Sequence, residues 1–249
     1  MSKKIIVFVL TIVLTVAGSF YLKSRTVSTT FEEQYQNIKK VSFTMTFFNF
    51  GPFRANEFDI YQDIENIEEL EQKSQVIARV HLVKRQQKYG TFYSTVKVLE
   101  SFKGDLKSKE IVIYEPIEIQ MEDLMISGAQ KPMDDKQDYI VFLQTAIPED
   151  NQHFNLINSC LGVIPAKSEL HVKKVEDYKD YQDLDMIKLN DLDKYDFFDI
   201  TFDLSSHSDI EEVPINHQVY DQTKQLLFDH YSQILEKYAH MKGKVVFES

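Results

Sequence analysis

The residues able to do chemistry are few and far apart. Seven histidines (His81, His153, His171, His207, His217, His230 and His240) are scattered over 249 residues. A metal centre carried by one helix needs two histidines about one turn apart. His230 and His240 are ten apart, which leaves them about 80° out of line at roughly 100° per residue. Surface histidines are therefore the expectation. A hydrolase centre would have to be assembled by the fold, from His153, His171 and the carboxylates between Asp183 and Asp193. Cys160 is the single cysteine, which excludes an intramolecular disulfide framework and a cysteine-based zinc site. It carries no local nucleophile signature and reads as a small buried hydrophobe. Asp183 with Asp185, and Asp191 with Asp193, form D-x-D pairs. A calcium loop also needs a glycine turn and a distal bidentate carboxylate. Neither run has the glycine, so a solvated acidic face is the expectation. The chain holds no H-E-x-x-H, G-x-S-x-G, P-loop or G-x-G-x-x-G. No catalytic, cofactor-binding or metal residue is assigned from sequence.

Charge narrows the partners. Twenty-eight Lys+Arg against thirty-nine Asp+Glu give a net charge of -11, which argues against nucleic acid as the main partner. Between Glu176 and Glu212, thirteen carboxylates face three lysines. The aromatic residues Tyr178, Tyr181, Phe197, Phe198 and Phe202 in the same stretch argue against plain disorder. Such a segment suits a basic partner, which long-range attraction would steer toward it.

The amino terminus points to a compartment. Lys3 and Lys4 precede an uncharged run from Ile5 to Leu22. Those eighteen residues rise about 27 Å as a helix, close to the roughly 30 Å of a hydrocarbon core. Residues 1–23 thus read as a signal anchor. The alternative is a signal peptide cleaved near Ser19, where Ala17 and Ser19 are small. Phe20, Tyr21 and Leu22 extend the apolar run past that point and favour the anchor. Lys23 and Arg25 nearly balance the leading lysines. A short basic leader ahead of a long domain places the leader in the cytoplasm and the remainder outside.

The elements behind the linker are mostly strands. Residues 24–63 read as a linker and a first strand over Val41–Phe50. A short helix over Ile64–Ser74 carries Ile64, Ile67 and Leu70 on one side. From Gln75 to Lys84, Val76, Ala78, Val80 and Leu82 alternate with the rest. Thr91–Phe102 answers with Phe92, Val96 and Val98, and the two make a long hairpin. Lys109–Glu115, Tyr139–Leu143, His153–Cys160 and Leu170–Val175 follow as further strands. Residues 117–135 read as a long connection. The whole of 64–175 is expected to be a small antiparallel barrel or sandwich. Residues 176–215 form an acidic aromatic segment with one strand near Phe197–Leu204. From 216 to 249 come a helix and a tail. In the helix, Tyr220, Leu227, Tyr231, Ile234, Tyr238 and Met241 make one apolar stripe, expected to pack on the domain's own sheet across a half-wet interface. Gly243 is placed as its stop. The fold class is mainly β with α (α+β).

The stretch SQVIARVHLVKRQQKYGTFYSTVKVLESFKGD, Ser74–Asp105, with Gly128, Pro132 and Asp138–Leu143 (DYIVFL) behind it, resembles a small OB-like β-barrel domain of Gram-positive bacterial envelope proteins. That family is largely uncharacterised. The resemblance covers about ninety residues and implies a fold and an extracytoplasmic location, with almost no function. This sequence departs from it at Arg79, where a glycine is expected within the first strand. Three roles follow as expectations. The first is a non-enzymatic envelope module binding an envelope protein or a basic peptide. The second is an extracytoplasmic hydrolase with a His/carboxylate site. The third is a self-protection factor against a cationic peptide.

Overall fold

The computed structural model describes residues 31–44, 63–88, 91–120, 122–128, 130–147, 149–178, 187–202 and 212–248. The expected anchor at 5–22, the alternative cleavage near Ser19, Asp183 and Asp185 lie outside them. Among the described residues no helix is long and apolar enough to cross a membrane. The chain divides into residues 1–37 and 38–249. In the first unit, helix α1 (Phe31–Gln36) is closed by the Asn37 side-chain amide donating to the Glu33 carbonyl at 2.9 Å.

The second unit is mainly β with helices, an α+β arrangement. Its strands are β1 (Lys40–Thr44), β2 (Val76–Lys88), β3 (Thr91–Lys103), β4 (Glu110–Glu115), β5 (Ile117–Gln120), β6 (Asp123–Ser127), β7 (Asp138–Thr145), β8 (His153–Leu156), β9 (Val163–Pro165), β10 (Glu169–Tyr178), β11 (Phe197–Phe202) and β12 (Lys244–Glu248). Helices α2 (Ile67–Lys73), α3 (Leu189–Lys194) and α4 (Glu212–Tyr238) lie between them.

A six-stranded sheet runs β2-β3-β4-β8-β7-β9, and β7 pairs again with β2 from Val76 to His81. The alternation read along β2 is real: Val76, Ala78, Val80 and Leu82 meet Val96, Ile111, Ile113, Tyr139, Val141, Leu143 and Phe154 in one buried cluster. One residue in two faces inward, as the pleat requires. Strand β7 is buried on both faces, because Ile140 and Phe142 are also sealed. Phe142 meets Tyr238 of α4 edge-on, with ring centroids 5.7 Å apart. At Arg79, where a glycine was expected, the β2–β3 register shifts between Arg79 and Val80. A β-bulge there bends the strand without glycine. The K-G-D turn does need its glycine. Gly104 has φ +89°, and a Cβ there would lie 2.7 Å from the Gln75 carbonyl oxygen.

Three expectations need correction. The supposed connection at 117–135 contains a hairpin, β5 and β6, whose outer partner is β1, parallel to β6. The strand at 170–175 lies outside the six-stranded sheet. As β10 it is the centre of a separate sheet, β11-β10-β12, in which both pairings are parallel. Parallel neighbours need a crossover: the chain passes through α3 between β10 and β11, and through α4 on its way from β11 to the other side of β10, where β12 pairs. Within the six-stranded sheet the expected antiparallel pairing holds except at β4 and β8, which pair in parallel.

Helix α4 packs on its own domain, and its stripe is buried rather than half-exposed. Tyr220, Leu227, Tyr231, Ile234 and Tyr238 are at most 4% exposed. The Tyr220 hydroxyl donates to the Phe198 carbonyl at 3.0 Å, and that of Tyr231 sits 2.9 Å and 2.7 Å from the carbonyls of Pro165 and Lys167. Hydroxyl partners on backbone carbonyls make the buried tyrosines affordable. Met241, last of the stripe, lies past the helix and is exposed. The helix ends at Tyr238, short of Gly243. Just beyond it His240 takes φ +56°, and the amides of Ala239 and Met241 both donate to the Leu235 carbonyl, at 2.8 Å and 3.3 Å, so the turn that closes the helix is a left-handed one. Gly243 is needed for close approach instead, since a Cβ there would lie 2.5 Å from Leu235 Cδ1.

Candidate functional site

The histidines singled out from sequence do not converge. His153, on β8, is 2.7 Å from Asp150. His171, on β10, is 2.9 Å from Glu248 and 3.5 Å from Glu169. His81 is 3.0 Å from Asp138. Each is paired locally, and among the described contacts no two share a carboxylate. Cys160 is fully buried, and burial pushes its thiol up to about 12, which removes the thiolate that nucleophilic chemistry needs. Asp191 serves α3: its carboxylate accepts from the Lys188 amide at 3.1 Å and from Lys173 Nζ at 2.6 Å. Burial alone would raise that carboxyl, but these bonds outweigh it and hold it low. Asp193 is exposed and, among the described residues, pairs with Lys136 at 3.6 Å. Among the described residues no three His, Cys, Asp or Glu side chains stand close enough to share a metal ion.

A cleft of about 570 Å3 opens instead where α2, the β2–β3 end and α4 meet. Its floor is Ile77, Phe102 and Tyr238, and its rim includes Glu71, Lys103 and Lys237. The cleft is open rather than enclosed, with charged and polar residues around a small apolar floor.

Local sequence explains each wall. In α2, Asn66 Oδ1 accepts from the Glu69 amide at 2.8 Å, a side-chain N-cap. Ser74 Oγ donates back to the Leu70 carbonyl at 2.6 Å. Lys103, from the K-G-D turn, donates to the Glu71 and Gln72 carbonyls at 2.6 Å and 3.1 Å. It thus places a cation on the carbonyls at the C-terminal end of α2, where the helix dipole favours one. The aromatic floor is held by Tyr238, whose ring meets Phe102 at 5.0 Å.

Glu71 ties the cleft together. Its Oε1 accepts from Lys237 Nζ at 2.5 Å and from the Tyr238 hydroxyl at 2.7 Å. Burial raises the Glu71 carboxyl, but these two bonds and the Lys237 and Lys103 charges prevail and hold it below its ordinary value. Burial, reinforced by the bond to Glu71, pushes the Tyr238 hydroxyl up. Neither shift moves its group toward neutral pH. Its lining combines an apolar floor with two glutamates, a glutamine and two lysines.

The sequence contained these residues but not their meeting. Glu71 and Lys237 are 166 positions apart. Lys103-Gly104-Asp105 and Tyr238 were each singled out, one as a turn and one as part of a stripe. Only the three-dimensional crossing of α2 and α4 joins them. A smaller void of about 10 Å3 beside Gln130 has room for one water, which would satisfy the buried and unpaired Gln130 Oε1. Compared with known proteins, the chain matches no family model and no curated protein.

Proposed function

We propose that this protein is a single-pass, membrane-anchored envelope module. Residues 5–22 hold it in the cytoplasmic membrane, and its outer part binds an envelope protein or a basic peptide without catalysing a reaction. The carrying observation is the cleft around Glu71, where Glu71 is bonded to Lys237 and Tyr238 and Lys103 is bonded to α2. Its floor is apolar, with Ile77 and Tyr238 almost covered and Phe102 half-buried, and its edges are charged, a composition that suits anchoring a side chain. Support for the small OB-like barrel comes from the ladder β2-β3-β4-β8-β7, which returns to β2. Five strands joined in this way, with β4 and β8 parallel, fit a compact Greek-key barrel. The carboxylates between Glu176 and Glu212 add attraction for a cationic partner.

Site-directed photo-cross-linking tests this role in the full chain in its own membrane. A photoreactive residue at Gln72, on the cleft rim, is expected to trap one discrete envelope component. The same residue at the exposed Lys107 is expected to trap none. Equal adducts at both positions, or none at Gln72, would remove the cleft from the account.

A further inference from the structure

Strand β12 lies at the edge of the C-terminal sheet, with β10 on one side and, among the described residues, no strand on the other. The opposite edge, β11, is capped in part by a bridge from Gln130 to Phe197. The Lys244 amide donates to the Ser168 carbonyl at 2.9 Å, which fixes the parity of the strand. In a parallel ladder the amides of Lys244, Val246 and Glu248 then face β10, and those of Val245 and Phe247 face outward. Phe247 is 48% exposed, among the most exposed large hydrophobic side chains described. Proteins usually protect such an edge with a charge or a bulge. Here the five residues Lys244-Val245-Val246-Phe247-Glu248 carry opposite charges at the two ends.

We infer that β12 is a self-pairing edge, occupied by β12 of a second copy of this chain. The strands run antiparallel about a two-fold axis through Val246. In that register Val245 lies opposite the second copy's Phe247, and the outward amides of both exchange two hydrogen bonds, twice over. Val246 lies opposite its own copy. Lys244 lies opposite the second copy's Glu248 in non-hydrogen-bonded positions, where facing side chains are closest. Opposite charges directly across an antiparallel pair attract. Sliding the strands by two residues either way leaves one of these charges facing outside the strand or against a valine. The sequence thus selects both the occupant and the register, and the contact closes as an isologous dimer without propagating. Lys244 and Glu248 already touch Glu169, His171 and Lys194, so each new pair extends a surface network rather than burying a lone charge. Five residues a side is less than a stable soluble dimer buries. The pairing is therefore weak in dilute solution and gains from tethering in one membrane plane, which raises the effective concentration; this last point rests on the anchoring proposed above.

Disulfide trapping in the full-length protein tests the register. At the two-fold, facing Cα atoms lie within the roughly 4.4–6.8 Å that a disulfide spans. Val246→Cys is expected to give a disulfide-linked dimer under mild oxidation. Lys244→Cys, whose counterpart lies about 13 Å away along the strand, is expected to give about tenfold less. Within the Val246→Cys background, Lys244→Glu alone and Glu248→Lys alone each place like charges opposite one another and are expected to suppress the dimer. Co-expression of the two restores it as the mixed species. No disulfide from Val246→Cys, equal yields from Val246→Cys and Lys244→Cys, or no rescue on co-expression would each overturn the inference.

Discussion

Replacing Arg85 with methionine is expected to cost about 3–5 kcal/mol of unfolding free energy, the usual penalty for breaking a buried ion pair from one side. Arg85, on β2, and Glu115, at the end of β4, are 6% and 4% exposed. Exposed pairs are worth at most about 1 kcal/mol, so this burial decides the magnitude. Arg85 Nη2 donates to Glu115 Oε1 and to the Met133 carbonyl, each at 2.6 Å, and Nε donates to Ser94 Oγ at 3.0 Å. Glu115 Oε1 also accepts from the Ser94 hydroxyl, and Oε2 accepts from the Met133 amide at 2.9 Å. The guanidinium lies 5.2 Å from the Phe92 ring centroid. One substitution therefore strands a carboxylate and a carbonyl that join β2, β3, β4 and the segment before β7. Urea denaturation reads the loss directly. Arg85→Met with Glu115→Gln, which leaves no orphan charge, should recover much of it, and the double-mutant cycle measures the coupling. A loss under about 1 kcal/mol for Arg85→Met would mean that the pair is solvated as a surface pair is.

Phe198→Ala is the second large effect, expected at about 3–5 kcal/mol, as for deletion of a buried aromatic side chain. Phe198 is 0% exposed. Its ring lies 4.8 Å from that of Phe43 on β1 and 6.2 Å from that of Tyr195. The Phe43 amide donates to the Tyr178 hydroxyl on β10 at 3.0 Å. Phe198 is thus where the β1-β6-β5 sheet meets the C-terminal sheet. The alanine variant should lower the denaturation midpoint and speed amide exchange selectively at Val41–Thr44, beyond the change across β2 and β3. An unfolding free energy within about 0.5 kcal/mol of wild type would show that the two sheets do not rely on this contact.

What was legible in the sequence was whatever one segment decides by itself. The β2–β3 hairpin follows from a period of two, and α4 from a stripe of tyrosines and leucines at helical steps. Strand β7 follows from an unbroken apolar run. Parallel pairing was invisible, because β10, β11 and β12 carry no local sign of their neighbours. The β5–β6 hairpin was missed because strands of four and five residues give too few alternations to stand out. The sequence after Gly243 was read as a tail although its β-branched and aromatic residues suit a strand. Asp191 belonged to a D-x-D pair on paper and caps a helix in space. The Glu71 cleft could not be read at all, since its walls come from both ends of the second unit.

The measurement that bears most directly on the central claim is the topology of the full-length protein in intact cells. Lys136 is 73% exposed at its side chain, so Lys136→Cys provides a reachable thiol. The native Cys160 is fully buried, and its thiol is held protonated by burial, so it stays silent until the protein unfolds. A membrane-impermeant maleimide added to intact cells is expected to label Lys136→Cys on a membrane-bound, full-length chain and to leave the parent protein unlabelled. Labelling of Lys136→Cys only after lysis would place the domain in the cytoplasm and contradict the envelope role.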